Sequence, residues 1–178
     1  MADLSNKKVL ILASQGVEQI ELTSPRDALK NAGAQVFIAA PEGKEFQAME
    51  DDWEKADTFT PDLALSDVKH EEYDALVLPG GTLNADALRI DADARCIAVQ
   101  FFEAEKPVAA ICHAPWLLID AKKVEGRNMT SYTSVKLDLQ NAGAQWVDEE
   151  VVEDGNLITS RNPGDLEAFN KAIIAKLS

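Results

Sequence analysis

Residues 106–119 read KPVAAICHAPWLLI, a pattern typical of a buried strand, a sharp turn and a helix. Residues 108–111 are a short apolar run of the kind that fills a parallel sheet, and Pro115 suits the first turn of a helix. Cys112 falls at the junction, where the free N–H groups of a helix start stabilise a thiolate. The pattern predicts a nucleophile elbow with sulfur in place of the serine oxygen. A small buried hydrophobe is the alternative role for Cys112, but the strand–turn–helix context and the adjacent His113 favour a reactive thiol.

Strand and helix signals alternate along the rest of the chain, which predicts an α/β fold with a doubly wound, mostly parallel sheet flanked by helices. The expected elements are a strand at 9–13, a helix capped by Ser24 with Pro25 at its first position, a strand at 36–40, a strand at 75–78, helices at 83–89 and 93–105, a helix at 134–141, a hairpin turning at 154–156, and a helix at 165–177. Cys96 falls inside the helix at 93–105, and we expect it in the core.

Residues 41–70 differ from the rest of the chain, because they are polar, acidic and weakly patterned. We interpret them as a hairpin or excursion at the edge of the sheet. Trp53 lies near the middle of this segment. It is either a local packing anchor or an interface residue, and the sequence does not separate the two.

Length and composition restrict the class of protein. The 178 residues are 46% hydrophobic, which predicts one domain over residues 1–178 with a full core. The formal net charge of -14 opposes binding to nucleic acid or anionic lipid. No apolar run is long enough to span a bilayer, and residues 1–8 lack a secretory h-region. Two cysteines without such a signal indicate a reducing, cytoplasmic location.

Three loops leave the carboxyl ends of predicted parallel strands, where doubly wound sheets bind ligands. They place Glu18, Gly81 and Cys112 on one rim. A protonated Glu18 beside the sulfur would donate a hydrogen bond to the thiolate, whereas an ionised one would oppose it. Gly80 and Gly81 let backbone N–H groups approach an oxyanion, and the amides of Gly81 and His113 are the expected donors. The alternatives are a solvated loop acid for Glu18 and an ordinary tight turn for the glycine pair.

His113 has two interpretations. It is a general base or acid for the neighbouring thiol, or a helix-cap histidine bonded elsewhere. Two cysteines and two histidines at wide spacing do not make a zinc site, and no glycine-rich phosphate loop is present. We therefore expect no metal and no cofactor.

These motifs resemble those of the PfpI family within the ThiJ/PfpI superfamily, which shares the flavodoxin-like fold of class I glutamine amidotransferases. The resemblance runs nearly end to end. It rests on GVEQIEL at 16–22, ALVLPGG at 75–81, AICH at 110–113, TSY at 130–132 and DGNLITSR at 154–161.

The resemblance implies roles for single residues. Cys112 would be the nucleophile, Glu18 its acidic partner and His113 the neighbouring histidine. Some PfpI-like proteins complete a Cys-His-acid triad with a carboxylate from a second subunit, and Asp86 falls at that position. Tyr132 matches a tyrosine near the site in relatives. The family usually has Cys-His-Gly, whereas Ala114 follows His113 here.

The resemblance also implies a function and partners. We expect a stress-response hydrolase or lyase that acts through Cys112 on a small carbonyl substrate or a glycation adduct, as a glyoxalase or deglycase. An intracellular cysteine peptidase is the first alternative, and a non-enzymatic redox sensor that uses Cys112 is the second. A homodimer or larger homo-oligomer with the site near the subunit boundary is expected, together with no nucleic-acid and no membrane partner.

Overall fold

The computed structural model describes residues 3–178 and shows strands and helices alternating along the chain. The strands are β1 (Lys8–Leu12), β2 (Gln35–Ala40), β3 (Phe46–Glu50), β4 (Glu54–Phe59), β5 (Leu63–Ala64), β6 (Ala75–Leu78), β7 (Val108–Ile111), β8 (Asn128–Met129), β9 (Gln145–Trp146), β10 (Val151–Asp154) and β11 (Leu157–Ser160). The helices are α1 (Gln19–Asn31), α2 (Thr82–Ile90), α3 (Ala92–Glu103), α4 (Pro115–Asp120), α5 (Lys136–Asn141) and α6 (Leu166–Leu177).

Seven strands form the central sheet in the order β10-β11-β7-β6-β1-β2-β5. All neighbours in it are parallel except β10 and β11, which form the predicted antiparallel hairpin. Strand β1 has β2 as its neighbour on one side and β6, which follows later in the chain, as its neighbour on the other. A crevice therefore opens at the carboxyl ends of β1 and β6, where the strand order reverses. The predicted doubly wound, flavodoxin-like fold is confirmed.

The core lies on both faces of this sheet, because successive strand side chains point to opposite sides. Val9 and Ile11 of β1 belong to the cluster that α1 and α6 cover. Leu10 and Leu12 belong to the cluster covered by α2, α3 and α4. Helices on both faces explain why the central strands are apolar along their whole length.

The first helix begins earlier than the sequence predicts. Ser24 and Pro25 were expected at its start, yet α1 begins at Gln19 and holds Pro25 in its interior. The backbone oxygen of Glu18 already accepts N–H groups from Glu21 and from the next residue, so the helical ladder is established before the proline. The proline only removes one later donor from that ladder. The early start places Glu21 inside the helix.

Cys96 was predicted in the core and is exposed. Helix α3 buries Ala94, Ile97, Ala98 and Phe101 on the side that faces the sheet. These buried residues are three or four positions apart, as one face of a helix requires. Position 96 does not belong to that face and points to solvent.

Residues 41–70 contain the predicted excursion. Strands β3 and β4 form a separate antiparallel hairpin, and β5 adds to the edge of the main sheet beside β2. The hairpin lies against the β1–α1 loop, since the Met49 N–H donates to the oxygen of Val17. Trp53 is 84% exposed at the hairpin tip, so the interpretation as a packing anchor is wrong. Its role at an interface stays a prediction.

No helix within residues 3–178 combines the length and the apolar character that crossing a bilayer requires.

The core beneath α6 gives a stability prediction. Phe169 is fully buried between α6 and the sheet. We expect Phe169→Ala to lower the free energy of unfolding by about 3–5 kcal/mol, because it removes apolar contacts and leaves a cavity. Urea denaturation followed by circular dichroism measures the loss. Lys171→Ala on the exposed side of the same helix is the matched control and should leave the midpoint nearly unchanged. Equal losses for both variants would contradict the assigned core.

Candidate active site

Cys112 occupies the turn between β7 and α4, as the elbow pattern predicts. Its backbone is left-handed, with φ of 63°, which a residue with a side chain adopts only under constraint. The constraint comes from both sides, because its N–H donates to Ser160 O at 3.1 Å and its carbonyl accepts the Tyr132 N–H at 2.9 Å. The side chain is therefore held at the carboxyl end of the sheet and is only 6% exposed.

His113 reaches the sulfur of Cys112 despite being its neighbour in sequence. Its Nδ1 lies 3.1 Å from Sγ, and its Nε2 lies 3.1 Å from the Ser134 hydroxyl oxygen. The ring stacks on Tyr132 and meets the edge of Trp116, which fixes its plane. Burial lowers the pKa of His113, so the imidazole is neutral near neutral pH. The geometry suits a base next to the thiol.

Glu21, and not Glu18, is the carboxyl group beside the Cys112 sulfur. Its side chain is completely buried and lies within hydrogen-bonding reach of the thiol. Its Oε2 accepts the Gly80 N–H at 2.8 Å, while Oε1 has no hydrogen-bond partner among the described residues. The assignment of Glu18 as the acidic partner is corrected on this geometry. The error follows from the misplaced start of α1, because Glu21 is one helical turn further along on the buried face.

Glu18 instead holds the β3–β4 hairpin against α1. Its two carboxylate oxygens accept the N–H groups of Asp51 and Asp52, each at 3.2 Å. Burial raises the pKa of Glu18, although these two N–H groups act in the opposite direction. The residue still lines the pocket that contains Cys112.

Asp52 completes this contact from the hairpin side. Its carboxylate accepts both the backbone N–H and the hydroxyl of Thr82, each at 2.8 Å, at the first residue of α2. We define the Glu18 and Asp52 contacts together as the hairpin latch. Sequence reasoning missed Asp52 and Thr82 in this role, and also Ser134. These pairings are distant in sequence, and the only local signal is the acidic run around Trp53.

The two glycines have separate tasks. The N–H of Gly80 donates to Glu21, so it is not available to an oxyanion, and the place of Gly80 in the predicted oxyanion site is corrected to a contact with the buried acid. A Cβ at Gly80 would lie 2.5 Å from Glu21 Oε2 and 2.7 Å from Cys112 Cβ, which only glycine avoids. Gly81, at φ of 88°, directs its N–H toward the Cys112 sulfur together with the N–H of His113. These two amides remain the candidate oxyanion donors.

Asp86 lies on the exposed side of α2. Within the single chain that the structure describes, it makes no contact with His113, whose outer nitrogen is paired with Ser134. A triad through Asp86 would require a second copy of the chain and stays a prediction, as does the predicted oligomer. Tyr132 stands beside the cysteine as expected, through its stacked ring and its backbone N–H.

An open pocket of about 390 Å³ gives access to these groups. Its walls come from six places in the chain: the start of α1, the hairpin tip, the start of α2, the elbow, the segment after β8 and the segment after β11. It is lined by Glu18, Glu21, Asp51, Asp52, Gly81, Thr82, Cys112, His113, Tyr132 and Pro163. Among residues 3–178, no three His, Cys, Asp or Glu side chains are grouped so as to hold a metal ion.

Cys112 and Glu21 titrate as a coupled pair. Burial raises the pKa of Glu21 from 4.5 to about 8, so this carboxyl carries a proton at neutral pH. Burial and the charge of an ionised Glu21 raise the pKa of the Cys112 thiol, whereas the amides of Gly81 and His113 lower it. A protonated Glu21 no longer repels the thiolate and can donate a hydrogen bond to it. The net effect raises the pKa of the Cys112 thiol, so the thiol keeps its proton at neutral pH and the thiolate stabilisation expected from the helix start does not prevail. The sulfur becomes a nucleophile when the neighbouring His113 takes that proton, and Glu21 is the proton donor.

The cysteine elbow at the carboxyl end of a doubly wound sheet defines a class of α/β protein with a cysteine at the strand–helix turn, and comparison with known proteins identifies its family. The model of the DJ-1/PfpI family matches residues 7–176. The chain belongs to the DJ-1/PfpI family.

Individual relatives cover most of the chain. The deglycase TK1284 of Thermococcus kodakarensis is 42% identical over 170 residues, which is 96% of this chain and 99% of the relative. The uncharacterized protein SERP1413 of Staphylococcus epidermidis is also 42% identical, over 96% of this chain and 98% of its own.

Two solved structures are similar throughout. Drosophila melanogaster DJ-1beta has a TM-score of 0.87 and 32% identity, covering 99% of this chain and 91% of its own. An Anabaena variabilis protein with DJ-1/ThiJ/PfpI-like and ferritin-like domains has a TM-score of 0.90 and 36% identity over 96% of this chain. Only 48% of that two-domain protein is covered, so this chain spans about half of its length.

The buried carboxyl gives a pH-dependent prediction. Glu21 keeps its proton in the folded chain up to about pH 8 but loses it near pH 4.5 when unfolded. Between these pH values the unfolded state therefore binds fewer protons than the folded state, so the free energy of unfolding falls as the pH rises. The stabilising contribution of Glu21 is complete below about pH 4.5 and is lost as the pH rises to about 8. The total loss should be on the order of a few kcal/mol. Glu21→Gln, which stays neutral, should remove this part of the pH dependence.

Urea denaturation of wild type and variant over about pH 4.5 to 9 measures the difference between their unfolding free energies. Glu54→Gln, an exposed change of the same kind, is the control and should follow the wild type. If the free energies of unfolding of wild type and Glu21→Gln differ by the same amount at every pH, the raised pKa of Glu21 is contradicted.

Proposed function

We propose that this protein is a cysteine-dependent enzyme that acts on small reactive carbonyls or their glycation adducts, as a glyoxalase or deglycase. The observation that carries the proposal is the pairing of Cys112 with the buried, proton-carrying Glu21 on the wall of an open pocket. The name of the Thermococcus kodakarensis relative, a deglycase at 42% identity, supports the same class of reaction.

The reaction with methylglyoxal begins at the sulfur. His113 takes the proton of the Cys112 thiol, the sulfur attacks the aldehyde carbon, an S–C bond forms, and the carbonyl oxygen takes a proton from Glu21 to give a hemithioacetal. His113 then releases its proton to water and Glu21 takes one up, so both groups return to their starting state. The N–H groups of Gly81 and His113, which face the sulfur, are placed to stabilise the oxygen while its charge develops. Burial and the hydrogen bond from Gly80 hold Glu21 ready for this transfer.

The next steps move one proton and add one water. The neutral His113, with Nδ1 at 3.1 Å from Sγ, accepts the proton on the former aldehyde carbon. Glu21 gives its proton to the oxygen on the adjacent carbon, so that a neutral enediol forms. His113 returns its proton to that carbon while the hydroxyl on the sulfur-bearing carbon gives its proton back to Glu21, and a thioester of lactate results. Water then adds to the thioester carbon and the S–C bond breaks. The sulfur takes one proton of the water and lactate leaves with its carboxyl proton released to solvent, so Cys112, Glu21 and His113 are as they began. The substrate is isomerised and hydrated, so no external oxidant or reductant is required.

Cysteine peptidase activity is the second candidate, because the 3.1 Å contact between His113 and Cys112 also suits an acyl-transfer nucleophile. Peptide cleavage additionally requires an oriented histidine that protonates a leaving nitrogen. In the described chain the orienting partner of His113 is the Ser134 hydroxyl and not a carboxylate. Carbonyl chemistry is therefore favoured.

Lactate formation from methylglyoxal tests the proposal. We expect turnover by the wild type, background rates for Cys112→Ser, and a loss of about 10²-fold or more in kcat for Glu21→Gln, since proton transfer by a placed acid contributes at least this much. Cys96→Ser, which removes the exposed thiol of α3, is the matched control and should retain full activity.

Casein hydrolysis, measured in parallel, separates the two candidates. Lactate formation that survives Cys112→Ser would refute the carbonyl reaction at this site. Strong casein cleavage that Cys112→Ser abolishes and Glu21→Gln leaves intact would establish the peptidase instead.

A further inference from the structure

Asn84 lies in the first turn of α2 and is completely buried. Its Oδ1 accepts the backbone N–H of Ser14 at 2.7 Å and the hydroxyl of the same residue at 3.0 Å. Its Nδ2 donates to Pro79 O and to Gly80 O, each at 3.0 Å. The side-chain amide therefore uses both acceptor positions and both N–H groups inside the fold. Asn84 does not line the active-site pocket, so substrate binding does not account for this arrangement.

The partners of this amide determine its orientation. A backbone N–H can only donate, so the atom that meets Ser14 N is the oxygen of Asn84. Carbonyl oxygens can only accept, so the nitrogen faces Pro79 and Gly80. The reverse orientation would place an oxygen against two carbonyls and an N–H against an N–H. The side chain is thus fixed between the loop after β1 and the turn after β6.

The two carbonyls that Asn84 holds belong to the peptide units whose N–H groups point into the site. In a planar trans peptide the C=O and the N–H point in opposite directions. The Pro79 carbonyl shares its peptide with the Gly80 N–H, which donates to Glu21 at 2.8 Å. The Gly80 carbonyl shares its peptide with the Gly81 N–H, which is directed at the sulfur of the elbow cysteine. One NH₂ group therefore holds both peptide units from the side opposite to the reacting groups.

The turn cannot hold these peptide units by itself. Glycine has the widest choice of backbone conformations, and a side chain at Gly80 would collide with the acid and the cysteine. The other hydrogen bond to the Gly80 carbonyl, from the Glu18 N–H, is longer, at 3.3 Å. The two bonds from Asn84 are therefore the contacts that restrict rotation of both peptides.

We infer that Asn84 is the positioning residue of the active site, because its side-chain amide directs the N–H groups of Gly80 and Gly81 at the acid and at the nucleophile. Held in this way, the first N–H keeps the Glu21 carboxyl against the thiol. The second faces the sulfur and the oxygen that develops charge on a bound carbonyl. The inference concerns the resting arrangement of these groups and rests on the proposed function only for the expected effect on turnover.

Two substitutions of similar size separate the donor half of this amide from its acceptor half. Asn84→Asp keeps an oxygen for the Ser14 N–H and loses both donated hydrogen bonds. Asn84→Leu loses all four contacts and adds no charge. If Asn84 served only to hold the loop after β1, Asn84→Asp would behave like the wild type. The inference instead requires both variants to disturb Gly80 and Gly81.

Glycine-selective ¹⁵N labelling makes the turn visible by NMR, because the chain has only nine glycines. In both variants the Gly80 and Gly81 signals should leave their wild-type positions, and their amide hydrogens should exchange with solvent about tenfold faster. Asn156→Asp is the matched control, since that Nδ2 donates to Lys106 O at 2.8 Å at the other end of the sheet. It should leave both signals unchanged. Wild-type signals in Asn84→Asp would overturn the inference.

The titration of Glu21 gives a readout that a general loss of stability would not reproduce. In the wild type the Gly80 signal should follow the ionisation of Glu21 near pH 8, because its N–H donates to that carboxyl. In Asn84→Leu most of this step should disappear, since the N–H no longer faces the acid. Cys112, Glu18 and Asp52 also face Glu21 and are the same in both proteins, so they do not account for the difference. A step of wild-type size would contradict the positioning role.

Turnover separates this inference from the proposed function. Asn84→Leu should lower kcat for lactate formation about 10²-fold, the usual effect of losing an oxyanion donor. KM should change little, because Asn84 does not line the pocket. Displaced glycine signals in the variants without lactate formation by the wild type would support the positioning role and refute the function. Lactate formation by the wild type with undisturbed glycine signals in both variants would support the function and overturn this inference.

The unmodified chain provides a test that requires no folded variant. Both Nδ2 hydrogens of Asn84 are donated to buried carbonyls, whereas Asn31 is exposed. In asparagine-labelled wild type, the side-chain hydrogens of Asn84 should exchange at least about tenfold more slowly than those of Asn31. Exchange as fast as that of Asn31 would show that the amide does not hold the turn, and would overturn the inference.

Discussion

The burial of one carboxyl group against one thiol is the constraint on which the site depends. Glu21 reaches the sulfur of Cys112 from the interior of α1, with no water-exposed surface and with a hydrogen bond from Gly80. Any side chain at Gly80 would collide with both partners. The first strand, the elbow and the Pro-Gly-Gly turn must therefore pack in one arrangement for the acid and the nucleophile to meet. The crevice of the doubly wound sheet provides this arrangement, because the three loops leave adjacent parallel strands at the same edge.

The wall of the site comes from a segment with little pattern of its own. Strands β3 and β4 lie outside the main sheet, yet their tip contributes Asp51 and Asp52 to the pocket. Both residues have positive φ, a conformation that contacts with the rest of the fold sustain. Those contacts are the hairpin latch: the Glu18 carboxylate accepts two backbone N–H groups from the hairpin tip, and the Asp52 carboxylate accepts the backbone N–H and the hydroxyl of Thr82. The negative charge of the hairpin tip would otherwise only increase solubility, but these contacts place it beside the reacting groups.

Most of the fold and the centre of the site could be predicted from the sequence. The apolar runs of β1, β6 and β7 are short, bounded by turn residues and buried on both sides, so their pattern is unambiguous. The same strands identified Cys112 and His113 by position. The prediction failed where local signals compete. Pro25 is typical of a helix start, but here the helix begins six residues earlier, and with that shift Glu18 was assigned the acidic role that Glu21 has in the structure. Asp52 and Ser134 reach the site through contacts distant in sequence, which no local pattern records.

The exposed hairpin tip also gives the protein an optical property. Trp116 and Trp146 donate their ring N–H groups to Asp138 and Ser131 and are partly buried, whereas Trp53 projects into water beside Asp52. Its indole should emit at the longest wavelength of the three and be the most accessible to a dissolved quencher. The part of the intrinsic fluorescence that a dissolved quencher removes therefore reports on the hairpin tip, which also contributes two residues to the pocket wall.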